Sequence, residues 1–168
     1  VSDDLVIRRA EPADVPGMAR LAGALVRMHH RVDPSRFLLV DEVEKGYGWW
    51  FGREIARPEA VAIVALRAGS VVGYAYGTLE ERDWNLLLDE HGALHDVFVD
   101  ETARGHGVGQ RLVREAVAAL EELGAPRVIL STMVSNETAQ RLFRRCGFRP
   151  TMLEMTRDGE TVASPKSG

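Results

Sequence analysis

The residues best suited to chemistry lie in one run, Arg104-Gly105-His106-Gly107-Val108-Gly109-Gln110. Glycines at alternate positions let the backbone bend sharply and come close to a ligand. An apolar strand, Val97-Phe98-Val99, leads into the run, and an amphipathic helix follows it. The first N–H groups of a helix have no intrahelical partner, and the aligned peptide dipoles add partial positive charge there. The layout is therefore an anion site, suited to a phosphate. Two phosphate motifs are excluded by the residues themselves. A P-loop ends in Gly-Lys-Ser/Thr, whereas Gln110-Arg111 follows Gly109. A dinucleotide fingerprint needs GxGxxG with a strand and an acidic residue at a set distance beyond it, and the chain supplies neither. What the run does fit is Arg/Gln-x-x-Gly-x-Gly/Ala.

The elements that must position this turn can be read from periodicity. Val108, Leu112, Val113, Ala116, Val117, Leu120 and Leu123 share one helical face, and Gly124 and Pro126 close the helix. Residues 93–99 form the strand before the turn. Residues 127–132 form the next strand, parallel to it by the right-handed crossover rule. Upstream, residues 5–9 read as a strand, and Pro12 opens a helix that ends near His29-His30. Residues 33–37 are a turn. Residues 41–57 read as a second helix interrupted by Gly46 and Gly48, with Tyr47, Trp49 and Trp50 as core aromatics or as the wall of a pocket. Residues 59–66 and 71–78 are strands joined by a hairpin at Arg67-Ala68-Gly69-Ser70, and Gly73 and Gly77 mark a bulge or a close approach. The acidic connection Glu80-Glu81-Arg82-Asp83-Trp84 and Asp89-Glu90-His91 is a solvated surface or a funnel for a protonated amine. A final helix spans residues 136–145, and a last strand or hairpin spans 148–156. Residues 1–157 are expected to form a single domain, and the polar tail at 158–168 is expected to fray.

A second motif stands downstream. Asn136-Glu137-Thr138-Ala139-Gln140-Arg141-Leu142-Phe143-Arg144-Arg145-Cys146-Gly147-Phe148 fits Asn-x-x-Ala-x-x-Leu-Tyr-x-x-x-Gly-Phe at every marked position except Phe143. With the glycine turn between strand and helix, the chain resembles the GNAT superfamily of N-acetyltransferases. The resemblance covers residues 97–148 by motif and nearly the whole chain by element order. It implies an α/β fold with a central mixed sheet flanked by helices and splayed parallel strands at the cofactor site. It also implies an enzyme that moves the acetyl group of acetyl-CoA, without a metal, to a primary amine on a small molecule or a protein. A homodimer is compatible with such a fold by analogy.

The same resemblance implies roles for particular residues. The strand Val97, Phe98 and Val99 would bind the pantetheine arm through its backbone, as an added strand would. The backbone N–H of Val97 would stabilise the oxyanion of the tetrahedral intermediate. Gly105, His106, Gly107, Val108, Gly109 and Gln110 would hold the pyrophosphate, with Arg104 beside it. Asn136 would contact the cofactor, and it suits a helix N-cap equally well. Phe143 stands where the superfamily often has a tyrosine that protonates the leaving thiolate. Phenylalanine has no proton to give, so that position at most packs against the cofactor. This absence keeps a second function open, a catalytically silent acyl-CoA-binding module.

An amine of pKa about 10.4 must lose a proton before it attacks, so a general base is required. Relatives often carry an acidic residue just before the position of Val97, and this chain has His95-Asp96 there. Strict alternation puts the two on opposite faces, with His95 in phase with Val97, so only one can face the cleft. Asp96 keeps the family's residue type, histidine titrates near neutrality, and Glu80 is a third candidate. His29, His30 and His106 lack such a context. Cys146, late in a helix, reads as a core thiol.

Composition narrows the classes further. The chain has 168 residues with a formal net charge of −4, which argues against a general nucleic-acid binder and suits a cationic substrate. One cysteine leaves no internal disulfide and points to a reducing compartment, with a cytoplasmic location expected. No apolar run approaches the roughly 20 residues of a membrane span.

Overall fold

The computed structural model describes residues 5–159. In chain order these form β1 (Leu5–Arg9), a 3-10 turn (Pro12–Asp14), α1 (Val15–Val32), α2 (Val43–Glu54), β2 (Ala60–Arg67), β3 (Ser70–Glu80) and β4 (His91–Val99). A second 3-10 turn (Glu101–Ala103), α3 (Val108–Glu122), β5 (Val128–Leu130) and α4 (Glu137–Arg145) follow. The five strands make one sheet in the order β1-β2-β3-β4-β5. Every neighbouring pair is antiparallel except β4 and β5, which run parallel and are linked through α3. No helix among the described residues is long and apolar enough to cross a membrane.

The apolar run of β2 follows from burial on both faces. Its Ala62, Val64 and Leu66 join Met18 and Leu21 of α1 and Phe51 of α2 in one core. Its Val61, Ile63 and Ala65 join Leu112, Val113, Ala116 and Leu120 of α3 in the other. The β2–β3 hairpin turns at Ala68 and Gly69, both with positive φ (48° and 75°), a turn whose twist matches that of the strands. Gly77 confirms the close approach expected of it. A Cβ there would lie 2.7 Å from the carbonyl oxygen of Ala93 and 3.2 Å from a Leu120 methyl.

Three segments depart from the sequence expectation. α2 runs through Gly46 and Gly48 without interruption. Glycine costs a helix about 1 kcal/mol, and here burial of Val43 and Phe51 holds the helix against the core. β5 has three residues rather than six, because β4 parts from it beyond Leu94. Residues 148–156 form no strand. Phe148 turns back instead: its N–H donates to Phe143 O at 3.0 Å and its ring meets that of Phe143. Pro150 then lacks a ladder donor, and Met152, Leu153 and Met155 stay exposed. Of the tail expected to fray, residues 160–168 lie outside the described residues.

Candidate active site

The site is organised by one irregularity in β4. Val97 pairs with Ala75 and Asp96 with Tyr76, but Leu94 pairs with Gly77. His95 is an extra residue, a β-bulge, and it resets the alternation. Leu94 and Val97 both join the core under α3. His95 and Asp96 both turn to the opposite face and line the same cavity. The expectation that His95 shares the face of Val97, and that only one of the pair can reach the cleft, is thereby corrected.

That cavity has a volume of about 370 Å³ and lies between α2 and the β3–β4 ladder. Thr78, Glu80 and Tyr76 on β3 line it beside His95. His95 Nε2 lies 2.7 Å from Thr78 Oγ1 and 3.7 Å from Glu80 Oε1. The Thr78 hydroxyl donates to Glu80. The His95 ring stacks on Tyr76 with centroids 5.6 Å apart. All three candidate bases thus come together. Asp96 lines the cavity as well and accepts a hydrogen bond from the Tyr74 hydroxyl at 3.2 Å. Burial pushes its carboxyl above the usual carboxylate range, against that hydrogen bond and the nearby His95 and His29. Burial also raises the Tyr74 phenol well above its ordinary value, helped by the charge of Asp96.

The opposite wall comes from α2. Tyr47 and Trp50 line the cavity and also pack on the core, whereas Trp49 points to solvent beneath the Arg53 guanidinium. Glu54 is the residue sequence reasoning passed over. Its carboxylate is buried and accepts from the Tyr76 hydroxyl at 2.5 Å and from Arg57 Nη1 at 3.0 Å. One signal could have found it. Val43, Tyr47, Phe51 and Glu54 fall on one helical stripe, and a carboxylate on an apolar stripe calls for a partner.

A larger cavity, about 840 Å³, adjoins the first and shares Glu80 and His95 with it. Its remaining walls come from the β3–β4 connection, including Glu81, Asp83 and Trp84, and from Ile129 and Leu130 of β5. The acidic connection is therefore a cavity wall as well as a solvated surface.

On the other side of β4 the backbone itself is exposed. β5 pairs only with Gly92, Ala93 and Leu94, and β4 continues to Val99 with no strand on that edge among the described residues. Two counts agree on which N–H groups this opens. Gly92 N–H donates to Arg127 O beside β5. Alternation carries that direction to Leu94, and the bulge carries it on to Val97 and Val99. From the other end, Asp100 N–H donates to Val72 O on β3, so Val99 and Val97 point the opposite way. Both counts put the Val97 and Val99 N–H groups on the open edge.

The glycine turn follows. Gly105 and Gly107 have φ of 83° and 73°, which side chains rarely tolerate. Gly107 is the N-cap of α3 with no side-chain hydrogen bond, so the helix presents its first N–H groups uncovered by a cap. Arg104 Nε donates to Val99 O at 3.0 Å, its guanidinium lies over the Phe98 ring, and His106 Nδ1 contacts Arg104 O at 2.9 Å. Gln110 is half-buried in the first turn of α3. Val108 and Gly109 have packing duties: Val108 is buried, and a Cβ on Gly109 would meet Leu142 at 3.2 Å. Asn136 caps α4 by accepting from Ala139 N–H at 3.1 Å. Phe143 and Cys146 pack against the α3 core, and burial raises the Cys146 thiol pKa.

Comparison with known proteins fits this arrangement. Residues 25–148 match the model of the Acetyltransferase (GNAT) family. The chain is 30% identical over 134 residues to an N-alpha-acetyltransferase of Sulfurisphaera tokodaii, covering 71% of this chain and 80% of that one. It is 29% identical over 91 residues to the D-amino-acid N-acetyltransferase HPA3 of Saccharomyces cerevisiae, covering 54% of this chain. There the chain spans 55% of the relative's length, and it spans less than half of several other curated relatives it matches. In fold it is similar to the aminoglycoside N-acetyltransferase AAC(6')-Iy in complex with CoA, with a TM-score of 0.71 and 15% identity over 96% of this chain and 98% of that one.

Proposed function

Because this chain belongs to the acetyltransferase (GNAT) family, we propose that it moves the acetyl group of acetyl-CoA directly to an amine held in the cavity at His95. The observation that carries the reading is the bulge at His95. It turns a proton acceptor into the cavity and, where β5 stops pairing beyond Leu94, sets the Val97 and Val99 N–H groups on the open edge. The CoA bound to the aminoglycoside N-acetyltransferase of the same fold supports acetyl-CoA as the donor.

The residues fit that donor. The open edge of Val97 and Val99 offers backbone groups to the amides of a pantetheine arm. The uncapped start of α3 with Gly105 and Gly107 receives the pyrophosphate, and Arg104 closes the turn against Val99. Asn136, occupied through Oδ1 as a cap, keeps its amide N–H groups for the cofactor. Val97 N–H donates to the carbonyl oxygen of the thioester, where charge develops during attack.

His95 removes the proton from the incoming ammonium. Hydrogen-bond accounting names the atom. Thr78 has one hydroxyl proton and gives it to Glu80, so Nε2 of His95 donates to Thr78 Oγ1 and Nδ1 is the basic nitrogen. Glu80 then steadies the imidazolium that forms, in the way a carboxylate steadies a histidine base elsewhere. Asp96, held by Tyr74, lines the same cavity as a hydrogen-bond acceptor. Acetyl-CoA supplies an activated acyl group whose thiol, with a reference pKa of about 8.5, leaves as a thiolate without needing an acid at Phe143.

The test is CoA thiol release from acetyl-CoA against a panel of amines, with Arg104→Glu as the control that brings negative charge to the phosphate turn. Amine-dependent release, reduced by the control through weaker acetyl-CoA binding, is the expected result. Tight acetyl-CoA binding with no release for any amine would replace this reading with the silent acyl-CoA-binding module. Failure to bind acetyl-CoA would overturn both.

A further inference from the structure

We infer that the acceptor is a small molecule carrying two ammonium groups, one presented to His95 and the other seated at the Glu54 end of the cavity. This rests on the acetyl-transfer reading and names its substrate class.

The argument begins with charge. The 370 Å³ cavity is lined by three carboxylates, Glu54, Glu80 and Asp96, against one guanidinium, that of Arg57. That guanidinium is already engaged on two sides, by Glu54 at 3.0 Å and by Glu59 at 3.7 Å. The adjoining cavity repeats the pattern. Arg82 is bound through Nε and Nη2 by Asp89 at 3.1 and 3.3 Å and lies over Trp84, while Glu81 and Asp83 line the wall beside it. Each arginine in the two walls thus has its charge met by protein carboxylates. An acceptor carrying a carboxylate, such as an amino acid, would enter a field of its own sign, which disfavours binding.

Shape and surface narrow the class. A volume of about 370 Å³ is at the small end of ligand cavities and suits a small molecule. Aromatic rings share both walls with the carboxylates: Tyr47 and Trp50 stand on α2 with Glu54, their centroids 5.9 Å apart, and Tyr76 on β3 with Glu80, 4.8 Å from Trp50. Ring faces beside carboxylates attract an ammonium twice over, through the ring quadrupole and through the charge. A monoamine would use one such position at His95 and leave its apolar tail against the buried Glu54 carboxylate. Glu54 already accepts from Arg57 Nη1 on both oxygens and from the Tyr76 hydroxyl, which leaves about one of its four lone-pair sites for a second ammonium. Glu54 is then a specificity residue, oriented by the Tyr76 hydroxyl.

The experiment compares kcat/KM for CoA release with four amines: 1,4-diaminobutane, n-butylamine, 4-aminobutanoate and 2-phenylethylamine. The first three share one carbon chain and differ only in the far group. The expected order puts the diamine at least tenfold above butylamine and 4-aminobutanoate below it. Glu54→Gln is expected to cut the diamine-to-butylamine ratio at least fivefold, and a ratio is unaffected by a general loss of active protein. The wild-type ratio is also expected to fall as ionic strength rises, a readout that requires no variant. Butylamine or phenylethylamine equal to the diamine, or 4-aminobutanoate above it, would overturn the two-ammonium assignment and leave acetyl transfer standing. Acetyl-CoA binding without release for all four, together with no release to peptide amines, would overturn acetyl transfer itself and this inference with it.

Discussion

The two halves of β4 obey different rules. From Gly92 to Leu94 the strand is paired on both edges, to β3 and to β5, and its residues are buried. From Asp96 to Val99 it is paired on one edge only and is half-buried. The first half is built as a sheet interior, where glycine at positions 77 and 92 lets α3 settle on the backbone. The second half gives up a ladder of hydrogen bonds on one side. Unmade backbone hydrogen bonds are costly unless something takes their place, and a pantetheine arm has the amides to do so. One inserted residue, His95, separates the two regimes. A rigid, doubly paired half therefore holds a singly paired half in place while its open edge stays available.

The largest effect expected from breaking this comparison is at the insertion itself. His95→Gln should lower kcat/KM for the acceptor about 100-fold or more, the range of a lost general base. Acetyl-CoA affinity by titration calorimetry should change less than twofold, because the open edge is on the other side of the strand. A loss under tenfold in steady-state assays would move the base elsewhere, with Asp96 next in line.

Gly77→Val tests the doubly paired half. Its Cβ would press on the Ala93 carbonyl at 2.7 Å, and overpacking of this kind costs about 1–3 kcal/mol. The melting temperature should fall by roughly 3–9 °C. A melt indistinguishable from wild type would mean that this half is less tightly built than the Gly77–Leu94 register requires.

Away from β4, Asp14 offers a pH-dependent contrast. Burial works against its charge, but hydrogen bonds from Arg8 and from Glu11 N–H outweigh burial and hold its carboxyl below the usual range. A depressed folded pKa means stability that is complete above the unfolded value of about 3.9 and is lost as pH falls through the folded value. Asp14→Asn should lower the neutral-pH melting temperature by a few degrees, and the gap should close in acid. A gap that persists unchanged at about pH 2 would show that the loss is steric rather than electrostatic.

The smallest effect belongs to Phe143→Tyr. The ring packs with Phe148 beside the α3 core rather than standing free in a cavity. Restoring the superfamily's tyrosine should change kcat less than threefold in the thiol-release assay. A rise of tenfold or more would show that thiolate protonation limits the rate and that the singly paired half reaches further than β4.

The parts legible in the sequence are those defined by neighbours in the chain. Gly105 and Gly107 adopt the positive φ their position called for. The apolar stripe of α3 buries Val108, Leu112, Val113, Ala116 and Leu120, and Asn136 caps its helix. The glycine turn and the Asn136–Phe148 motif carried the resemblance that implied the fold class and the family. Residues 148–156 form no strand because a strand needs an edge to pair with, and here the Phe148 N–H is taken by Phe143 O while Arg36 holds Glu154.

By itself, then, the sequence determined the strand-turn-helix order around the glycine turn and the apolar stripe of α3, because spacing of three or four residues along one helix dictates which groups share a face. Only the tertiary structure decided that His95 and Asp96 face the same way, that Glu54 joins them from α2, and that the Val97 N–H lies on an open edge. Each of these depends on register between strands or on contact between elements, here Leu94 with Gly77 and Glu54 with Tyr76. A single inserted residue reverses every later side chain in a strand, and no periodicity along one strand reveals where its partner slips.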